Sequence, residues 1–181
     1  MKEYKKCCFT GYRPSKLPIN VYIRNKAYTD FENLVTEGIL KLYNEDCRVF
    51  YTGMAMGFDI ICAETVLLFK KLYNKEIKLI CAIPFENQAE KYDEHWKKRY
   101  FDVLAQCDEK IILFDNYNKG CYQKRNEYMV DNSDYVMTWF DGKQGGTKNT
   151  VNYAIKQNKF ILNLNKNSTE NYSYQTTFEI F

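Results

Sequence analysis

Two arginines, one carboxylate and several glycine-bearing turns are the groups whose types and spacing suit recognition of an anion. In Thr10-Gly11-Tyr12-Arg13-Pro14, Arg13 sits in a proline-restricted turn, where a guanidinium can clamp a phosphate with two parallel N–H bonds. In Thr52-Gly53-Met54-Ala55-Met56-Gly57-Phe58-Asp59, two glycines four apart separate a strand-like run from a helix-like one. Such a turn, Met54 included, presents backbone N–H groups at the positive end of a helix dipole. The glycine spacing differs from GxGxxG, and no Gly-Lys-Ser/Thr follows, so it is neither a dinucleotide fingerprint nor a Walker sequence. Asp59 would repel a phosphate pressed against this turn; it suits ribose hydroxyls or helix capping.

Three further segments complete the set. Pro84-Phe85-Glu86-Asn87-Gln88 offers Phe85 to stack on a base and Gln88 to read an amide edge, and is equally an ordinary helix start. Arg125 falls in the first or second turn of a short helix, from which its side chain reaches the same mouth. Asp141-Gly142-Lys143-Gln144-Gly145-Gly146-Thr147 repeats the strand–turn–helix order; Gly145 and Gly146 free backbone N–H groups, and Thr147 can cap the helix and donate to an anion. Each charge-assisted bond contributes about 1.5–3 kcal/mol. Three or four of them, less the ordering cost, support roughly micromolar affinity for a nucleotide-sized ligand.

The elements that must position these groups follow from periodicity. Short apolar runs at 5–9, 48–51, 77–83, 110–114, 135–140 and 160–164 lack polar alternation, as strands covered on both faces do. Between them lie stripes of helical period: Ile23 to Leu42, Phe58 to Leu72, and shorter ones over 86–107, 123–130 and 148–157. This alternation predicts an α/β, Rossmann-like three-layer sandwich with a mainly parallel sheet of about six or seven strands. The whole of 1–181 reads as one domain, with 165–181 a polar tail in which Thr177–Phe181 could form an edge strand. All glycines except Gly38, and all three prolines, fall in loops that leave a strand and enter a helix. Close approach of backbone to a ligand at the carboxyl ends of the strands would produce that asymmetry.

Composition narrows the function classes. The 181 residues are 45% hydrophobic and 27% charged, which excludes a mainly disordered chain. A net charge of +3 neither demands nor excludes a nucleic-acid partner, but it predicts a weak salt slope at best. The compact basic clusters Lys70-Lys71 and Lys97-Lys98-Arg99 read as solvated helix faces, so no such partner is expected. Seven cysteines form no CxxC pair, and there is a single histidine, His95, so no metal site and no resident cofactor are expected. No apolar run is long enough to span a membrane, and a cytoplasmic location is expected.

Taken in order, Phe9-Thr10-Gly11-Tyr12-Arg13-Pro14, Thr52 to Asp59, Ile83 to Gln88, Arg125 to Met129 and Gly145-Gly146-Thr147 resemble the YpsA-like (YoqJ-like) branch of the SLOG superfamily. The resemblance runs from about Lys5 to Leu164. It implies a Rossmann-like fold that binds a nucleotide or a nucleotide-derived molecule, often of ADP-ribose or NAD type. The LOG relatives in that superfamily are phosphoribohydrolases, similar here at Arg125, Met129, Gly146 and Thr147. Their glutamate corresponds to Thr150, which carries no carboxylate. The resemblance thus implies binding as a sensor or sequestering module rather than turnover. The alternatives are an N-glycosidase using Asp59, Glu86 or Asp141 instead, and a Smf/DprA-like protein associated with single-stranded DNA. Homo-oligomers are common among LOG relatives, which makes one an expectation here too.

Overall fold

The structure, a computed structural model, describes residues 3–73 and 75–166. Six strands run Lys5–Gly11 (β1), Cys47–Thr52 (β2), Lys78–Phe85 (β3), Glu109–Phe114 (β4), Tyr135–Trp139 (β5) and Phe160–Asn163 (β6). Five α-helices connect them: Lys26–Asn44 (α1), Phe58–Leu72 (α2), Glu94–Leu104 (α3), Cys121–Asp131 (α4) and Gly146–Lys156 (α5). A 3-10 turn at Pro14–Lys16 follows β1. Every strand pairing is parallel, in the order β4-β3-β2-β1-β5-β6. This is the α/β, Rossmann-like arrangement expected from the alternation of periods.

The order of strands reverses direction between β1 and β5. Right-handed crossovers then put α1, α2 and α3 on one face and α4 and α5 on the other. The observed packing of α1 on α2, α2 on α3, and α4 on α5 agrees. The core lies in both interlayer spaces. Cys7, Cys8 and Phe9 of β1 are wholly buried, as are Leu79, Cys81 and Ala82 of β3. Central parallel strands have no solvent face, which is why their sequences are unbroken apolar runs.

Local chemistry sets the helix starts. The Asn25 side chain accepts from the Tyr28 amide at 3.0 Å, and the Asp93 carboxylate accepts from the Trp96 amide at 2.9 Å. The second cap explains a departure from expectation. The stretch 86–107 carries one helical stripe, yet α3 begins only at Glu94, because Asp93 restarts the chain after turns at 86–91. Pro84 and Phe85 likewise belong to β3 and not to a loop. The proposed strand at Thr177–Phe181 lies outside the described residues.

The basic cluster on α3 is largely neutralised. The Arg99 guanidinium grips Glu64 with Nε to Oε1 at 2.8 Å and Nη2 to Oε2 at 2.6 Å, tying α3 to α2, and it also donates to the Tyr28 hydroxyl at 3.1 Å. Lys97 pairs with Glu94, Lys98 with Asp102, and Lys70 with Asp108. No helix among the described residues is long and apolar enough to cross a membrane.

Candidate functional site

In an open parallel sheet, the loops on either side of a reversal in strand order diverge and leave a crevice at the carboxyl edge. Here that crevice is a cleft of about 300 Å³ between the loops leaving β1 and β5. Its walls include Thr10, Gly11, Arg13 and Lys16 on one side and Gly145, Gly146 and Thr147 on the other. Asp59 and Arg125 line it as well, together with Ala55, Tyr122 and Asn126.

Arg125 is delivered by α4, which packs on the face of the sheet opposite α2. Its side chain is buried, with only 4% of the residue exposed. Nη1 donates to the Gly53 carbonyl and Nε donates to Asn126 Oδ1 at 2.8 Å. The Asn126 amide in turn donates to Thr150 Oγ1 at 2.8 Å, and that hydroxyl donates to the Gly146 carbonyl at 2.9 Å. The guanidinium is thus connected by a continuous hydrogen-bonded chain to the first turn of α5. Thr147 completes the frame by donating to the Gly11 carbonyl at 3.2 Å, which ties α5 to the end of β1.

Asp59 is buried in the first turn of α2. Burial raises its carboxyl to about pKa 6, against the pull of the Arg125 and Arg13 guanidiniums and of hydrogen bonds from the Ala55 and Gly53 backbone. Burial likewise lowers the pKa of Arg125, an effect Asp59 opposes. An acid whose native pKa lies above its ordinary 3.8 takes up its proton in the folded state first. Folding is therefore favoured as pH falls through that window and loses up to about 3 kcal/mol as pH rises through it. The unfolding free energy of Asp59→Asn, taken relative to wild type, is expected to improve by that order between pH 4 and pH 7 in urea titrations. A pH-independent difference would contradict this assignment.

The glycines separate into two kinds. A Cβ on Gly11 would strike the Phe58 ring, and one on Gly53 would strike the Arg125 guanidinium. One on Gly57 would lie 2.5 Å from the Tyr12 carbonyl oxygen. At these three positions the missing Cβ makes room for the protein's own neighbouring segments. Gly145 and Gly146, by contrast, have nothing within 4 Å of the Cβ position, so the turn before α5 faces open space.

Of the residues singled out in sequence, Thr10, Gly11, Arg13, Asp59, Arg125, Gly145, Gly146 and Thr147 meet at the cleft. Gly53, Met54, Gly57, Pro84, Phe85 and Gln88 are not among its lining residues. Met54 and Gln88 lie behind the wall: the buried Gln88 amide donates to the Gly53 carbonyl at 3.0 Å, and Tyr92 donates to the Met54 carbonyl at 3.2 Å. These bonds brace the Gly53 turn. Phe85 touches Tyr117 and Tyr122 edge-on. Lys16, Tyr122 and Asn126 are among the lining residues that sequence reasoning did not single out. The adjacency of Tyr122 and Asn126 to Arg125 in sequence was the available signal for two of them. No cluster of three or more His, Cys, Asp or Glu side chains suited to a metal occurs among the described residues.

Comparison with known proteins bears on this geometry. The YpsA family model, described as the YspA SLOG family, matches residues 7–176. The uncharacterized SPbeta prophage-derived protein YoqJ of Bacillus subtilis is 32% identical over 153 residues, covering 78% of this chain and 85% of that protein. A UPF0398 protein of Brevibacillus brevis is 24% identical over 173 residues, covering 94% and 86% respectively. Among solved structures, DNA processing protein A of Helicobacter pylori, described for its single-stranded DNA binding mode, superposes with a TM-score of 0.58 at 20% identity. DNA processing protein A of Streptococcus pneumoniae superposes at 0.56 with 14% identity. The matched regions cover 87% of this chain but only 63% and 49% of those two. These neighbours overturn the expectation, drawn from the net charge, that a nucleic-acid partner is disfavoured. Net charge sums over the whole surface, whereas a strand of nucleic acid meets one local patch.

Proposed function

The chain belongs to the YspA SLOG family, and from that premise we propose that its cleft binds the phosphate of a nucleotide-type ligand. The observation that carries this reading is the buried Arg125 guanidinium, which lines a cleft opposite the unobstructed Gly145-Gly146 turn at the start of α5. A helix N-terminus and a desolvated arginine are both complementary to a phosphate, and burial strengthens each of them. Arg13 and Lys16 add positive charge at the exposed rim.

The finer reading is a sensor or sequestering module for an ADP-ribose or NAD-type molecule, without turnover. Thr150 supports it: its hydroxyl accepts from Asn126 and donates to Gly146, so the position corresponding to the LOG glutamate serves as a structural bridge. Isothermal titration with AMP, ADP, ADP-ribose and NAD is expected to give saturable binding of roughly micromolar strength for at least one of them. Chromatography of the same mixtures should reveal no free base. Absence of heat from every nucleotide at millimolar concentration would refute the binding reading, and release of base would move the assignment to an N-glycosidase, with Asp59 as the carboxylate already lining the cleft.

A second reading, association with single-stranded DNA, is supported by the fold shared with the two DNA processing proteins. The same cleft would then receive a phosphate of the strand. Fluorescence anisotropy of a labelled oligonucleotide, with AMP as competitor, distinguishes the two: displacement by AMP places both ligands on one site.

A further inference from the structure

Resting on the phosphate-binding reading above, we propose that Tyr122, Phe85 and Tyr117 form a base-stacking shelf continuous with the cleft, so that the ligand is a nucleotide recognised through its planar base and not a sugar phosphate alone. Three rings from two separate segments meet here: Phe85 at the end of β3, and Tyr117 and Tyr122 on the β4–α4 connection, the first in its loop and the second in the first turn of α4. Phe85 lies 5.6 Å from Tyr117 and 5.8 Å from Tyr122 between ring centroids, at interplanar angles of 83° and 73°. Tyr117 and Tyr122 are themselves 6.4 Å apart. Edge-to-face contacts of this kind fix ring orientation and cover at most one face of one ring in each pair.

Exposure points the same way. Tyr117 is 65% and Tyr122 36% exposed, whereas Phe85 is half-buried beneath them. Large rings held in place yet left in water are poorly explained by core packing. Tyr122 belongs to both features, since it lines the cleft beside Arg125 and touches Phe85. Arg13 and Tyr122 line the same cleft, so a cation and an aromatic ring share its rim. A phosphate in the cleft and a base on the adjoining rings is the arrangement that this pairing of charge and π surface fits. Base stacking on aromatic side chains tolerates any base, because every base has a π face.

The test compares AMP with ribose 5-phosphate by isothermal titration, in wild type and in the double variants Tyr117→Ala/Tyr122→Ala and Tyr117→Phe/Tyr122→Phe. In wild type AMP is expected to bind on the order of tenfold more tightly than ribose 5-phosphate. That ratio should collapse to about one in the alanine pair and survive in the phenylalanine pair, which keeps the rings. A ratio near one in wild type, with ribose 5-phosphate binding intact, would overturn the shelf and leave the phosphate site standing. A tenfold preference that persisted in the alanine pair would overturn it too. If neither compound bound wild type at millimolar concentration, the phosphate-binding reading itself would fall. A 5′-phosphorylated single-stranded oligonucleotide titrated in parallel identifies the source of the base: tighter binding than AMP with the same tyrosine dependence supports the shelf with a strand as its occupant, and weaker binding with that dependence supports it with a free nucleotide.

Discussion

Arg125→Ala is expected to weaken AMP binding by roughly 30- to 150-fold, about 2–3 kcal/mol. The guanidinium is already desolvated and held by the Gly53 carbonyl and the Asn126 side chain, so its ordering cost is met before a ligand arrives. Arg125→Lys should recover only part of the affinity, because an ammonium cannot reproduce the planar fork that also bonds Gly53 and Asn126. The exposed Arg13 is a contrasting case: Arg13→Ala should cost only a fewfold, since a solvated charge gains little on binding. Truncating Arg125 also leaves Asp59 without its strongest opposing charge, so some loss of stability accompanies the loss of binding. Titration calorimetry on protein shown by circular dichroism to be folded separates the two effects. Unchanged AMP affinity in folded Arg125→Ala would remove this side chain from the site.

Gly57→Ala is expected to be the most damaging small substitution, costing about 3–5 kcal/mol and lowering Tm by roughly 6–20 °C. Two causes add. Gly57 has φ of +95°, which an L side chain adopts only with strain. The added Cβ would also lie 2.5 Å from the Tyr12 carbonyl oxygen and 3.0 Å from the Pro14 nitrogen. Both obstacles are backbone, and the Phe58 amide donates to that same carbonyl at 3.2 Å, so the loops cannot separate without losing a hydrogen bond. Gly120 provides the control: its φ is +93°, but nothing lies within 4 Å of its Cβ position. Gly120→Ala should therefore carry the conformational cost alone, about 1 kcal/mol. Equal Tm losses for the two variants would show that loop contact at Gly57 is immaterial.

The architecture was readable along the chain because its signals are local. Unbroken apolar runs mark strands buried on both faces, and stripes at steps of three and four mark the helices between them. The six strands therefore fall within two residues of where periodicity puts them. The late start of α3 was missed because an apolar stripe continues through the turns at 86–91, and periodicity is blind to the capping bond that Asp93 makes. Arg125 and Thr147 were visible as chemistry, but their convergence was not: Gly53 and Arg125 are 72 residues apart, and Thr147 lies 136 residues from the carbonyl it bonds.

The glycines make the division plainest. Residue type and neighbours alone mark Gly11, Gly53, Gly57, Gly145 and Gly146 alike as turn formers at the carboxyl edge of the sheet. Whether a missing Cβ makes room for Phe58, for Arg125, for another loop's backbone or for a ligand depends on what distant segments bring to that spot. The same holds for the aromatic rings: Phe85 is legible as a residue, whereas its burial beneath Tyr117 and Tyr122, and the exposure of those two, come from two strand-to-helix junctions meeting at one rim. Secondary structure and handedness arise from interactions a few residues long, so the chain order carries them; a binding site is a coincidence in space, and only the packing of the sheet and its two helical layers brings it about.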